Sequence, residues 1–318
     1  MIMENIGMRL NEFKLWTALV TPLLEDGTVN VKDLQKLLKI QENAKNGIVI
    51  LGSTGESLNL SLEEKKLVVE TTVEMKLSVP VMVGVSGHDL SSVLDWLRFL
   101  EGVAIDAYLM VTPIYSKPGA EGQYYWFKTL LDNVSRPSML YNVPGRTACV
   151  LNTEAVTRLS NHPNFWAIKE SGGTVDSFIK YTKSVNNGHV FCGDDPLLPD
   201  FVPFDAAGLI SVASNVWPNE THAYVELALR NELNQRDLFI WKTAGNALFV
   251  ASNPIPVKAL MAIEGQITSG TVKLPLHQDD LKTPEILIEA TIMIRNWYSN
   301  YRYSERLKES KKNNMEIA

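Results

Sequence analysis

Lys169 lies inside an apolar run, Phe165-Trp166-Ala167-Ile168-Lys169-Glu170. A lysine is rarely fully buried without a partner. At its ordinary pKa only about one lysine in 2,500 is neutral at pH 7. Desolvation among apolar neighbours would lower that pKa and expose a nucleophilic lone pair, which makes a strand-borne lysine a Schiff-base candidate. The competing reading is a lysine that snorkels to water or pairs with Glu170 or a nearby aspartate. Tyr141 ends the preceding apolar run, in Leu140-Tyr141-Asn142-Val143-Pro144. A phenol there can relay protons to a bound substrate, although a half-buried ring with its hydroxyl on backbone would read the same way.

Three loop features extend the set. Gly52-Ser53-Thr54-Gly55-Glu56-Ser57 is a glycine-flanked turn with hydroxyls and free backbone N–H groups. Such a turn can hold a carboxylate or phosphate, or it can be a plain strand-to-helix turn; no G-K-[ST] follows, so it is not a P-loop. Arg146 follows the Tyr141 run, and a guanidinium there suits a carboxylate; the alternative is an ordinary surface arginine. Tyr115, in Thr112-Pro113-Ile114-Tyr115-Ser116, can line the site or meet another subunit. Asp194-Asp195 suggests magnesium only weakly, because adjacent strand residues point to opposite faces.

These residues need a frame. Eight short apolar, β-branched runs recur, starting near Trp16, Gly47, Pro80, Ala107, Pro137, Phe165, His189 and Gly208. They are near-continuously apolar, as parallel strands covered on both faces require. Helical stripes alternate with them, over Val31–Lys45, from Ser61 with Glu64 completing a capping box, over Val93–Leu100 and over Tyr124–Leu131. The seventh unit is weak, since Pro196, Pro199 and Pro203 leave room for only a short helix. The pattern predicts a (β/α)8 barrel, with its site at the C-terminal ends of the strands. An open doubly wound sheet would normally carry G-x-G-x-x-G after its first strand, and none is present. After Asn219 the stripes Ala223–Leu233, Arg236–Val250, Pro256–Ile263 and Glu285–Arg302 read as helices. The division expected is a barrel over 10–233 and a C-terminal helical domain over 234–318. Residues 1–10 read as a loose leader, and Arg302–Lys312 as a solvated helix end.

Composition narrows the function class. The chain has 318 residues, 45% of them hydrophobic and 21% charged, so it is globular rather than disordered. The net charge of −6 argues against a nucleic-acid or membrane-surface binder. No apolar run approaches the ~20 residues that span a bilayer. Two cysteines, Cys149 and Cys192, and five scattered histidines disfavour a disulfide framework or a transition-metal site.

Taken together, LVTP, GSTGES, VTPIYSKP, YNVPGRT, IKESGG, CGDD, LISVASNV and NPIPVK, in this order from about residue 16 to 260, resemble the dihydrodipicolinate synthase family. That family belongs to the pyruvate-dependent class I aldolases, with N-acetylneuraminate lyase. The resemblance implies a cytoplasmic homotetramer, a dimer of dimers, of (β/α)8 barrels with helical C-terminal domains, needing no metal or organic cofactor. It implies that Lys169 forms a Schiff base with pyruvate, whose carboxylate sits on the Ser53-Thr54 turn in a pocket lined by Gly193 and Ile210. Tyr141 would shuttle protons, linked by Ser53 to a Tyr115 that reaches in from the neighbouring subunit. Arg146 would bind the carboxylate of L-aspartate-4-semialdehyde, which favours the synthase over a sugar-acid aldolase or a non-catalytic small-acid-binding barrel. Two departures stand out. Ser53 replaces the threonine of many members, keeping the hydroxyl but losing β-branching. The positions matching a lysine effector site are Ser57, Leu58, Leu62, Lys65, His88, Ser92 and Ile114. Leu62 and Ile114 replace polar or aromatic contacts of inhibited members, and Ser92 replaces a glutamate that would pair the effector's amine, which predicts weak or absent inhibition by L-lysine.

Overall fold

The computed structural model describes residues 9–316, with side-chain surroundings to residue 306. The strands β1 (Leu15–Ala18), β2 (Gly47–Ile50), β3 (Val81–Val85), β4 (Ala107–Val111), β5 (Ser138–Asn142), β6 (Phe165–Glu170), β7 (His189–Cys192) and β8 (Ala206–Ser211) close into one parallel barrel in sequence order. Each is followed by a helix: α1 (Val31–Asn43), α2 (Leu62–Glu74), α3 (Leu90–Glu101), α4 (Ala120–Asp132), α5 (Thr153–Leu159), α6 (Val175–Ser184), α7 (Leu198–Phe201) and α8 (Pro218–Leu229). The (β/α)8 barrel read from the sequence is therefore the fold.

The strands are apolar throughout because both faces are covered. Alternate residues point into the lumen, where Trp16, Val49, Met82, Leu109, Met139, Ala167, Phe191 and Ile210 pack together. The opposite faces join the helices in a second apolar shell that includes Leu37, Val83, Leu140 and Ile168. At the N-terminal end of the barrel, residues 9–12 are helical. Leu10 is fully buried there and Asn11 accepts the Trp166 indole N–H at 2.8 Å. Arg9 to Leu10 thus belong to the fold, which corrects the leader expected over 1–10; residues 1–8 lie outside the described residues.

Local chemistry sets the helix ends. Asn30 caps α1 by accepting from the Asp33 N–H, and Ser61 with Glu64 forms the expected capping box of α2. The seventh unit is two 3₁₀ turns flanking the four-residue α7, as its prolines foretold. Helix α8 starts at Pro218, five residues before the apolar stripe, since proline suits a first helical turn. Three further helices follow, α9 (Gln235–Ala247), α10 (Ile255–Ile263) and α11 (Glu285–Glu316). Helix α11 runs well past the Arg302 expected for its end. Trp297 fixes it, meeting Trp241 edge-on at 5.2 Å and donating to Asp237 Oδ1 at 2.9 Å, while Trp241 stacks on Tyr224 of α8 at 4.2 Å. The side chains of Leu307–Lys312 lie outside the described residues.

Candidate active site

Residues Tyr141 and Lys169 are register partners on the adjacent strands β5 and β6. Each lies two residues beyond a lumen residue, Met139 and Ala167 respectively, so both point inward near the C-terminal end of the barrel. Lys169 is 4% exposed, and its Nζ lies 4.3 Å from the centre of the Tyr141 ring. It has no hydrogen bond or ion pair among the described residues. Glu170, one alternative partner, faces outward and is taken up there. It accepts from Asn142 Nδ2 at 2.7 Å, Ser177 Oγ at 2.6 Å and the Gly172 N–H at 2.9 Å. Burial raises its pKa, opposed by these bonds.

Gly193 follows β7 against the lysine. A Cβ at this position would fall 2.0 Å from Ser171 Oγ and 2.8 Å from Lys169 Cε. Only glycine lets the lysine stem lie there without displacement. Asp194 is next. Burial pushes its carboxyl up to about 6, while the charge of Lys169 pulls the other way. Its neighbour Asp195 turns the opposite way and caps the end of β8, accepting from Ser211 Oγ and from the Val212 N–H at 2.9 Å. The two aspartates therefore do not converge, and no cluster of three metal-ligating side chains exists among the described residues.

A cavity of about 260 Å³ opens beside Tyr141, lined among others by Ser53, Val143, Arg146, Asn253 and Leu276. Neither the Tyr141 phenol nor the Ser53 hydroxyl has a hydrogen-bond partner among the described residues. The Ser53–Ser57 turn is held from behind. Glu56 adopts a left-handed φ of 56° and its carboxylate meets Lys258 Nζ at 2.7 Å, both side chains fully buried. Lys258 also donates to Thr21 O at 3.0 Å, and Glu56 Oε2 accepts from the Lys273 N–H at 2.7 Å. Thr54 Oγ1 accepts from Asn253 Nδ2 at 2.9 Å, and Arg146 Nη2 donates to Asn253 O at 3.0 Å.

The predicted residues thus separate into groups. Ser53, Tyr141 and Arg146 share the cavity wall; Lys169 joins them through Tyr141, and Thr54 through Asn253. Gly193 packs on Lys169, and Ile210 is a fully buried lumen residue. Tyr115 stands apart: it is 92% exposed, has φ of 69°, and does not line the cavity. Sequence reasoning missed Asn253, which entered only as the first residue of NPIPVK, and it missed the unpartnered buried hydroxyls of Ser86 and Ser171. Nothing in local spacing signals that Asn253 reaches a turn 199 residues away.

Fold and site together define a barrel enzyme built around a buried lysine that has no ion-pair partner among the described residues. The chain belongs to the dihydrodipicolinate synthetase family, whose sequence model matches residues 12–289. It is 48% identical over 284 residues to the 4-hydroxy-tetrahydrodipicolinate synthase of Wolbachia pipientis subsp. Culex pipiens, covering 89% of this chain and 96% of that one. It superimposes on the 4-hydroxy-tetrahydrodipicolinate synthase of Methylacidiphilum fumariolicum SolV with a TM-score of 0.86 at 28% identity, covering 92% and 98% of the two chains. The pyruvate complex of the chloride-inhibited dihydrodipicolinate synthase from Acinetobacter baumannii matches with a TM-score of 0.83 at 31% identity, covering 89% and 98%.

Proposed function

We propose that the protein condenses pyruvate with L-aspartate-4-semialdehyde to 4-hydroxy-tetrahydrodipicolinate, as a lyase of lysine and diaminopimelate biosynthesis. The observation that carries this reading is Lys169, buried at the barrel mouth without an ion-pair partner among the described residues and set against the face of Tyr141. Family membership supports the same reaction.

In this mechanism the Lys169 amine attacks the pyruvate carbonyl carbon, water leaves, and a Schiff base forms. The Tyr141 phenol carries the protons, with Ser53 linking it to Tyr115 of a neighbouring subunit. Loss of a methyl proton gives an enamine, whose carbon attacks the aldehyde. The amine of the second substrate then adds to the imine carbon, Lys169 is released, and the ring closes. The Ser53-Thr54 turn takes the pyruvate carboxylate, Gly193 and Ile210 bound the pyruvate pocket, and Arg146 takes the carboxylate of the semialdehyde. The chemistry as written needs no metal or organic cofactor. In the same reading, residues 10–233 are the catalytic barrel and 234–318 a helical domain, and the enzyme is a cytoplasmic homotetramer. No helix among the described residues is long and apolar enough to cross a membrane.

Borohydride added in the presence of pyruvate should fix a mass increment on Lys169. No adduct, together with activity retained in Lys169→Ala, would end the Schiff-base reading. Turnover of a sugar aldehyde in preference to the semialdehyde would move the chain to the aldolase branch.

A second cavity, of about 760 Å³, brings together Ser57, Leu58, Leu62, Lys65, His88 and Ser92; Ile114 lines the first cavity instead. The nearby Asp89 carboxylate is occupied as the cap of α3, held down to about 2 by Ser92 and Ser91. We therefore expect little inhibition by millimolar L-lysine in a rate assay, and strong inhibition would overturn that.

A further inference from the structure

The geometry points to Asn253 as a positioning residue that decides which way the Thr54 hydroxyl proton points. A threonine hydroxyl has one proton to give and two lone pairs. Here one lone pair is taken: Asn253 Nδ2 donates to Thr54 Oγ1 at 2.9 Å. Among the described residues no group accepts the Thr54 proton. Asn253 is 5% exposed, its backbone carbonyl receives Arg146 Nη2 at 3.0 Å, and its Oδ1 is buried without a donor. The side chain is thus anchored at the Thr54 end alone. An acceptor at Oγ1 supplied by the hydroxyl itself, and a donor supplied by the amide, leave the O–H free for an incoming carboxylate. The Asn253 N–H also polarises that hydroxyl, which strengthens its donation.

The inference rests on the proposal that the Ser53-Thr54 turn takes the pyruvate carboxylate, and it adds a residue of the segment leading into α10 to that recognition. It predicts an order of damage that a merely structural role does not. In Asn253→Leu the amide is lost, yet the hydroxyl can still turn its proton to the substrate. In Asn253→Asp the new carboxylate accepts that proton, and an oxygen lone pair then faces the substrate anion. The near-isosteric variant should therefore be the worse of the two.

The test is steady-state kinetics with both substrates varied, on the full chain. Asn253→Leu should raise KM for pyruvate about fivefold, and Asn253→Asp about fiftyfold, within the range for one misdirected buried hydrogen bond. KM for the semialdehyde should stay within about twofold, because the backbone carbonyl that holds Arg146 remains. In a Thr54→Val background the gap between the two Asn253 variants should close. If Asn253→Asp is no worse than Asn253→Leu, the inference is overturned. It is equally overturned if the gap survives in Thr54→Val, since it would then be through-space charge repulsion. Borohydride trapping of pyruvate by the unmodified protein is read in parallel. An absent adduct there defeats the Schiff-base reading, whereas a normal adduct with equal Asn253 variants defeats this inference alone. Should Asn253→Asp not fold, Asn253→Ser, whose shorter side chain cannot reach the hydroxyl, should match Asn253→Leu; a Ser variant with unchanged pyruvate KM would also count against it.

Discussion

Asp194 follows β7 with one carboxylate oxygen buried and unpartnered, and burial pushes its pKa up to about 6. In the unfolded chain an aspartate titrates near pH ~3.9. Between about pH 4 and 6 this group therefore holds more of its proton in the folded protein than in the unfolded one, and its contribution to stability falls as pH rises through that window. Asp194→Asn should remove that contribution, make the measured dependence on pH less negative by that amount, and raise the unfolding free energy at pH 7 by about 2–3 kcal/mol. Denaturant unfolding from pH 4 to 7 reads it, and an unchanged slope would contradict the assignment. At this scale Lys169 was legible, because a single cation in an apolar run is conspicuous without any neighbour. Its isolation from Glu170 was also implicit in strand alternation. The tightness of Gly193 was not, since it depends on the residue after β7 meeting Ser171 and Lys169 of the neighbouring β6 segment.

At the scale of elements, α10 and the turn after β2 are joined by the Lys258–Glu56 pair, with both side chains withdrawn from solvent. Burial lowers the Lys258 pKa while Glu56 opposes the shift. Lys258→Met would strand the Glu56 carboxylate in the interior, where an uncompensated charge costs about 3–5 kcal/mol. Adding Glu56→Gln should recover part of that loss, which calorimetry on the single and double variants can measure. Equal melting temperatures for Lys258→Met and the unmodified protein would refute it. The eight strands and most helices were legible because their apolar periods are local. The short α7 was foretold by its prolines. Helix α8 began earlier than its apolar stripe because Pro218 and the residues after it form a first turn that hydrophobic spacing does not mark. Helix α11 is held by Trp297, which stacks on Tyr301 and meets Trp241 on α9, a contact between distant segments, and its turns beyond Arg302 carry no apolar stripe that could have marked them.

On the scale of the whole molecule, Tyr115 is the outlier. It is 92% exposed in a left-handed backbone conformation that a bulky residue adopts only at a cost. Displayed in this way, it meets a neighbouring subunit in the tetramer we propose. Tyr115→Phe should leave sedimentation unchanged but lower kcat by at least about tenfold, the lower end of what removing one proton-relay group does. Full activity in that variant, or a monomer by sedimentation, would remove Tyr115 from the site. The family match ends at residue 289, within the first turns of α11.

The ring closure of the sheet has a consequence for how such an enzyme can diversify. Because β5 and β6 are each clamped by a neighbour on both sides, the spacing of amine and phenol belongs to the shear of the entire cylinder. No insertion in a connecting loop can stretch it. Those loops can be rewritten to admit a different aldehyde while the bond-making pair keeps its separation, so the chain's choice of second substrate and its reactivity toward the first are free to change independently.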